Sequence, residues 1–125
     1  MTQSVLPLAG RRVLVVEDEF IVAAMLTDVL EDDGAHVVGP LGTQAEAVEA
    51  ARSEAIDVAV LDWNLNGEPG SPVARALRAR GVPFVISTGY GAVEAEFADA
   101  PILHKPYAPA RLTACLVDLL GGWNR

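Results

Sequence analysis

Five short apolar runs recur along the 125-residue chain, and longer segments with helical spacing separate them. These runs are Val13–Val16, Val37–Val38, Val58–Leu61, Phe84–Ile86 and Ile102–Leu103. The longer runs contain no alternating polar residues, which is typical of strands that are buried on both faces. Strands that alternate with helices pair in parallel through right-handed crossovers. We therefore predict an α/β fold with a doubly wound, five-stranded parallel sheet.

Helix signals occupy the segments after each of these runs. The expected helices cover residues 20–32, a stretch beginning after Thr43, a stretch beginning at Ser71, residues 91–98 and residues 108–120. Thr43 and Glu46 form a capping box, in which each side chain satisfies a backbone donor at the start of a helix. Residues 91–98 carry the weakest helical pattern, because they are rich in Gly, Ala and Glu. The sequence thus predicts five helices on the two faces of the sheet.

The charge balance limits the partners of this chain. Acidic residues outnumber basic residues by 17 to 9, which gives a net charge of −8 at pH 7. Such a surface repels the phosphates of nucleic acids and anionic membranes, so we expect neither as a partner. Arg75, Arg78 and Arg80 lie close together, and we interpret them as a solvated helix face.

The domain organisation is expected to be simple. We predict an N-terminal extension over residues 1–10, one domain over residues 11–120 and a tail over residues 121–125. Residues 1–10 contain neither a basic start nor a sustained apolar run, so we predict no signal peptide and no spanning segment. A cytoplasmic location is therefore expected.

Polar residues follow four of the five predicted strands. They are Glu17 and Asp18 after the first strand, Asp62 after the third, Ser87 and Thr88 after the fourth, and Lys105 after the fifth. The carboxyl ends of parallel strands meet at one edge of a sheet, where α/β proteins bind their ligands. We therefore expect three carboxylates, a hydroxyl and an ammonium group to share one site.

Three carboxylates at one site require compensation of their charge. Two like charges about 4 Å apart repel by roughly 4 kcal/mol at an effective dielectric constant of about 20. Either one carboxyl group binds a proton or cations neutralise the cluster. Lys105 supplies one positive charge, and a divalent metal ion would supply the rest. Hard oxygen ligands favour Mg²⁺ over zinc.

Asp62 is the candidate nucleophile of this site. A carboxylate beside a metal ion, a hydroxyl and a lysine can attack phosphorus and form an acyl phosphate. Phosphoryl transfer depends mainly on positioning and on stabilisation of charge. Lys105 and the metal ion would offset charge on the phosphoryl oxygens, and the Thr88 hydroxyl would donate a hydrogen bond to one of them. The joint placement of these residues favours a site over unrelated surface residues.

Four motifs resemble those of response regulator receiver domains: Val-Val-Glu17-Asp18-Glu, Val-Leu-Asp62-Trp-Asn64-Leu, Ser-Thr88-Gly89 and Lys105-Pro106. The resemblance covers nearly the whole chain and implies the flavodoxin-like receiver fold with strand order 2-1-3-4-5. It also implies that a histidine kinase or a histidine phosphotransfer protein phosphorylates Asp62. The implied Mg²⁺ ligands are Asp18, Asp62, Glu17 (through water) and the backbone carbonyl of Asn64. Thr88 and Lys105 would bind the phosphoryl oxygens, and the Lys105–Pro106 bond is expected to be cis.

One position departs from the pattern of many receivers. Ile102 lies three residues before the lysine, where those receivers carry a Tyr or Phe ring that swings inward on activation. The run Ser-Thr-Gly-Tyr-Gly over residues 87–91 is similar to the alphaproteobacterial "FAT GUY" group, which lacks this aromatic residue and often stands alone. We hypothesise that phosphorylation orders the predicted helix over residues 91–98 instead.

Two other classes of function compete with this interpretation. A phosphatase of the haloacid dehalogenase type needs a second aspartate two residues after the nucleophile, but Asn64 occupies that position and cannot act as a general acid. A dinucleotide-binding module needs a third glycine where Glu94 lies. We therefore expect no enzymatic activity beyond catalysis of the chain's own phosphorylation and dephosphorylation. A phosphate shuttle, a sink for a kinase and a gated partner of a downstream regulator remain open.

Overall fold

A five-stranded parallel sheet lies between two layers of helices in the computed structural model, which describes residues 5–89 and 91–121. The strands of this sheet are β1 (Arg12–Val16), β2 (His36–Leu41), β3 (Val58–Asp62), β6 (Phe84–Thr88) and β7 (Ile102–His104). Two short strands, β4 (Asn64–Leu65) and β5 (Glu68–Pro69), form an antiparallel hairpin directly after β3. The sheet order is β2-β1-β3-β6-β7, which confirms the predicted order 2-1-3-4-5 for its five strands. Parts of the predicted extension and tail, residues 1–4 and 122–125, lie outside the described residues.

The helices of the described part of the chain are α1 (Phe20–Asp32), α2 (Gln44–Ser53), α3 (Ser71–Ala79) and α4 (Pro109–Leu119). Thr43 caps the start of α2, which confirms its half of the predicted capping box, because the Glu46 backbone N–H donates to the Thr43 hydroxyl oxygen at 3.2 Å. That hydroxyl in turn donates to the Glu46 carboxylate at 3.1 Å. Within the described residues, no helix is both long and apolar enough to cross a membrane.

The prediction of a helix over residues 91–98 is wrong. This segment contains a single 3₁₀ turn, Ala95–Phe97. Phe97 is the one fully buried residue between positions 91 and 99. Helices in proteins are stabilised mainly by the packing of an apolar face, and this segment has one anchor instead of a face. The described fold therefore has four α-helices instead of five.

Both faces of the sheet are covered by apolar side chains, which explains why β3 and β6 are buried along their whole length. Successive strand residues point to opposite faces. Leu61 and Ile86 accordingly pack with α2 and α3, whereas Val60 and Val85 pack with α1 and α4. These two apolar layers, one on each face, hold the sheet in place and thereby determine where the edge with the polar residues lies.

The three arginines are exposed, as the interpretation of a solvated helix face expects, but each also pairs with a neighbouring element. The Arg75 guanidinium donates to both carboxylate oxygens of Glu96, at 3.0 and 2.9 Å. Arg78 donates to the Asp99 carboxylate at 2.6 Å. Arg80 donates to backbone carbonyls that follow α2 or lie within it. These arginines connect α3 with residues 95–99 and with α2, although such exposed ion pairs contribute only about 0–1 kcal/mol each.

Candidate functional site

The carboxyl ends of four neighbouring strands bring the predicted site residues to one edge of the sheet. Glu17 and Asp18 directly follow β1, Asp62 ends β3, Thr88 ends β6 and Lys105 directly follows β7. The parallel registers place these ends side by side. Val16, the last residue of β1, pairs with Leu61 of β3, and Asp62 pairs with Ser87 of β6. Thr88, the last residue of β6, pairs with His104 of β7. Residues far apart in sequence therefore meet, as predicted.

Three carboxylates converge at this edge. Glu17, Asp18 and Asp62 each offer an oxygen, and these oxygens all lie within 4.8 Å of one another. Glu17 is only 3% exposed and Asp62 only 5% exposed. Burial of a charge without a partner is costly. The cluster therefore requires either positive charge in its immediate surroundings or a bound proton.

Lys105 supplies part of that charge. Its Nζ lies 3.1 Å from Glu17 Oε1, 3.5 Å from Asp62 Oδ2 and 3.8 Å from Glu19 Oε1. Burial lowers the pKa of Lys105, but the carboxylates of Asp62 and Glu17 outweigh this effect and raise the pKa above its usual value. Lys105 is therefore charged at neutral pH. The Lys105–Pro106 peptide bond is cis, as the resemblance implied.

The single ammonium group does not compensate the cluster fully. Burial raises the pKa of Asp62 most strongly, the backbone N–H of Asn64 and the charge of Lys105 lower it, and the charge of Glu17 raises it, with a net result of about 7. Near neutral pH, the Asp62 carboxyl group thus binds a proton in a substantial fraction of molecules when no further cation is present. A divalent cation would favour the ionised form instead.

The chemistry of the ligand set fits Mg²⁺. The converging groups of Glu17, Asp18 and Asp62 are all carboxylates, and among the described residues they form the one cluster of three such potential ligands. Hard divalent cations bind oxygen ligands, and Mg²⁺ typically uses one or two carboxylates while it retains several waters. Asn64, the fourth predicted ligand, lies beside Asp62 and donates its backbone N–H to Asp62 Oδ1 at 3.2 Å.

The hairpin formed by β4 and β5 is a part of the site that the sequence interpretation missed. The backbone N–H of Asn66, at the hairpin turn, donates to Asp18 Oδ2 at 2.8 Å. A second backbone N–H, that of Gly67, donates to the side-chain oxygen of Asn64 at 2.7 Å. The signal was present, because Asn-Gly is the strongest short-range indication of a two-residue hairpin turn.

Trp63 links the site to the segment after β6. It directly follows Asp62, and its indole N–H donates to Glu94 Oε1 at 2.9 Å. Its ring packs edge-on against Phe97, with 5.3 Å between the ring centroids. Phe97 also packs against Phe84 and lies below the guanidinium of Arg78, 5.1 Å from the ring centroid. The residue after the candidate nucleophile thus contacts the segment in which the predicted helix is absent.

This doubly wound fold, with three carboxylates and a lysine at one end of its sheet, defines a receiver domain. The chain belongs to the response regulator receiver domain family, whose model matches residues 13–117. It is therefore a receiver domain of the kind found in two-component systems.

Solved structures agree with this assignment. The solution structure of SdrG from Sphingomonas melonis Fr1 is similar with a TM-score of 0.78 and 41% identity, over 89% of this chain and 97% of that chain. The receiver domain of the sensor histidine kinase PA1611 from Pseudomonas aeruginosa PAO1 is similar with a TM-score of 0.76 and 25% identity, over 90% of this chain and 99% of that one. That structure holds a magnesium ion coordinated in its active-site cleft.

Curated relatives are longer than this chain. The transcriptional regulatory protein PdtaR from Mycobacterium tuberculosis is 31% identical over 81 residues, which cover 64% of this chain and 40% of that protein. The matched region therefore spans less than half the length of this relative.

Proposed function

We propose that this chain is a phosphorylation-dependent switch of a two-component system, in which Asp62 accepts a phosphoryl group from a phosphohistidine. The donor would be a histidine kinase or a histidine phosphotransfer protein. The observation that carries the proposal is the position of the buried Asp62 carboxylate, 3.5 Å from Lys105 Nζ and within 4.8 Å of the oxygens of Glu17 and Asp18. An unreactive surface aspartate needs no such surroundings.

In the proposed reaction, an ionised Asp62 oxygen forms a bond to phosphorus while the bond between phosphorus and the histidine nitrogen breaks. The electron pair of the broken bond returns to the imidazole ring, and the product is an acyl phosphate on Asp62. Bound Mg²⁺ would offset charge on the phosphoryl oxygens and on the carboxylates. Lys105 favours the ionised form of Asp62. Lys105 and the Thr88 hydroxyl are each proposed to bind a phosphoryl oxygen.

Apolar residues near the site offer a contact surface for the phosphodonor protein. Phe20, Ile21 and Met25 are 85%, 73% and 55% exposed, and they lie on α1, which begins two residues after Asp18. A phosphohistidine can reach Asp62 only if its protein covers the surface around the site. Exposed apolar groups on that surface are typical of a protein-binding region. We propose that the chain acts in the cytoplasm through such protein–protein contacts and has no further enzymatic activity.

Labelling by a small acyl phosphodonor tests this function. With Mg²⁺, intact-mass measurement is expected to show one added phosphoryl group per chain, and with a chelator it should show none. Equal labelling in the absence of Mg²⁺ would contradict the proposed metal site. Hydrolysis of many equivalents of a phosphate ester per chain would instead favour the phosphatase alternative.

The output of the switch is proposed to pass through residues 91–98. Ile102 lacks a ring that could rotate, whereas Trp63 directly contacts Glu94 and Phe97 beside the acceptor. A change in the backbone around Asp62 therefore reaches this segment through one side chain. We retain the hypothesis that phosphorylation orders the segment.

Amide hydrogen exchange measures this effect. Addition of beryllofluoride and Mg²⁺, which mimic the phosphoryl group, is expected to slow exchange across residues 91–98. Trp63→Phe keeps a ring but removes the indole N–H, and loss of one hydrogen bond of about 1 kcal/mol should speed exchange there about fivefold before any phosphoryl mimic is added. Unchanged exchange in both experiments would refute the proposed route.

A further inference from the structure

We propose that the turn at Asn66 and Gly67 positions Asp18 for binding of the metal ion, through the backbone N–H of Asn66. This inference rests on the proposed function, because it assigns a role toward the same Mg²⁺ site. Asn66 N lies 2.8 Å from Asp18 Oδ2, and Asn64 N lies 3.2 Å from Asp62 Oδ1. Two backbone donors of one hairpin therefore hold one oxygen of each of two carboxylates that come from different strand ends.

The conformation of the turn is what directs this donor. Asn66 has a φ of 56° and Gly67 a φ of 89°, so both central residues are left-handed, as a type I′ turn requires. Among the described residues, Asn66 is the one residue other than glycine with a positive φ. Strained backbone of this kind persists where its surroundings hold it, and it occurs preferentially at functional sites.

The hairpin is anchored on both of its strands. Leu65 on β4 is 1% exposed and packs in the core with α2 and α3. On β5, the carbonyl of Pro69 accepts a hydrogen bond of 2.8 Å from the Gln44 side chain at the start of α2. The turn thus has a fixed position relative to the sheet, and its N–H group can hold the Asp18 carboxylate in place.

Restriction of a ligand side chain before metal binding increases affinity. A carboxylate that is held through one oxygen loses less rotational freedom when a cation binds. Partners that hold metal ligands in this way typically change metal affinity by roughly 10- to 100-fold when they are removed. A turn with only a structural role would leave the Mg²⁺ affinity unchanged.

Substitutions at Asn66 separate the backbone donor from the side chain. Asn66→Pro removes the N–H group and cannot adopt a positive φ, whereas Asn66→Gly keeps the N–H and tolerates this φ. Calorimetric titration with MgCl₂ is expected to show that Asn66→Pro raises the dissociation constant roughly 10-fold or more. Asn66→Gly should stay within about twofold of the unmutated chain, because the donor is retained.

A matched pair of glycine variants controls for folding. Gly67 and Gly81 have φ values of 89° and 72°, and an added Cβ would meet no atom within 4 Å at either position. Alanine therefore imposes similar backbone strain at both positions, and the two variants should show similar losses of thermal stability. Only Gly67→Ala should also weaken Mg²⁺ binding, by several-fold. If Asn66→Pro and Gly67→Ala both bind Mg²⁺ as tightly as the unmutated chain, this inference is overturned while the proposed function stands. If Asn66→Pro does not fold, the comparison of Gly67→Ala with Gly81→Ala decides. Absence of Mg²⁺ binding by the unmutated chain would overturn the proposed function instead.

Discussion

Replacement of Asp62 with asparagine is expected to abolish phosphoryl incorporation and to leave the fold intact. The amide has nearly the same shape as the carboxylate but lacks the ionised oxygen that attacks phosphorus. Asp118→Asn, at an exposed position on α4, is the matched control and should be labelled like the unmutated chain. Intact-mass measurement after exposure to a small phosphodonor with Mg²⁺ decides the matter, and a phosphoryl group on the Asp62→Asn chain would mean that the acceptor is misassigned.

The same substitution is expected to stabilise the metal-free chain at pH 8. Burial and the neighbouring Glu17 carboxylate raise the pKa of Asp62 to about 7, so the ionised form is less stable in the folded state than in the unfolded state. Folding of the unmutated chain therefore becomes less favourable as pH rises from about 4 to about 7. Asp62→Asn removes this dependence, which thermal unfolding in the presence of a chelator would detect. If Asp62→Asn loses labelling and yet is more stable, the role of the Asp62 carboxylate is chemical and not structural.

Replacement of Lys105 with methionine is expected to lower the free energy of unfolding of the metal-free chain by about 3 kcal/mol at pH 8, since removal of one partner leaves buried charge uncompensated. Its partners Glu17 and Asp62 have side chains that are only 1% and 6% exposed. Lys105 is the only lysine of the sequence, so no other lysine can replace it. Saturating Mg²⁺ should recover part of the loss, because a cation at the cluster again offsets the negative charge.

Urea unfolding at two pH values tests this explanation. At pH 6 the loss should be smaller than at pH 8, because Asp62 binds a proton more readily once the ammonium group is absent. Lys105→Arg keeps the positive charge and serves as the matched control, with a smaller expected loss. Equal stability of the Met variant and the unmutated chain in chelator would show that Lys105 does not compensate the carboxylates.

The sheet and the meeting of the charged residues could be predicted because both follow from local patterns. Strands buried on both faces form continuous apolar runs, and parallel topology then brings their carboxyl ends together. Glu17, Asp18, Asp62 and Lys105 were therefore expected at one edge before any distance was known. The roles assigned to them remain predictions, since phosphorylation and metal binding are the subjects of the experiments above.

The segment after β6 could not be predicted in the same way. Ala and Glu favour helix in isolation, but tertiary packing decides the outcome. Phe97 alone is buried there, and the pairing of Arg75 with Glu96 joins positions 21 residues apart. Neither property has a local signature. The Asn66–Gly67 turn differs, because its dipeptide signal was readable and was overlooked.

The segment over residues 91–99 has a single buried ring, that of Phe97, and this has a consequence for how such proteins diversify. Phe97 is the one buried residue of positions 94–99, while the neighbouring positions 94–96 and 98–99 are exposed. The pairs that Glu94, Glu96 and Asp99 form with other elements are exposed as well. Substitutions at those outward positions would change exposed contacts and leave the buried core in place. Different descendants of one ancestor can thus acquire different recognition surfaces at this place while the chemistry at the sheet edge stays the same.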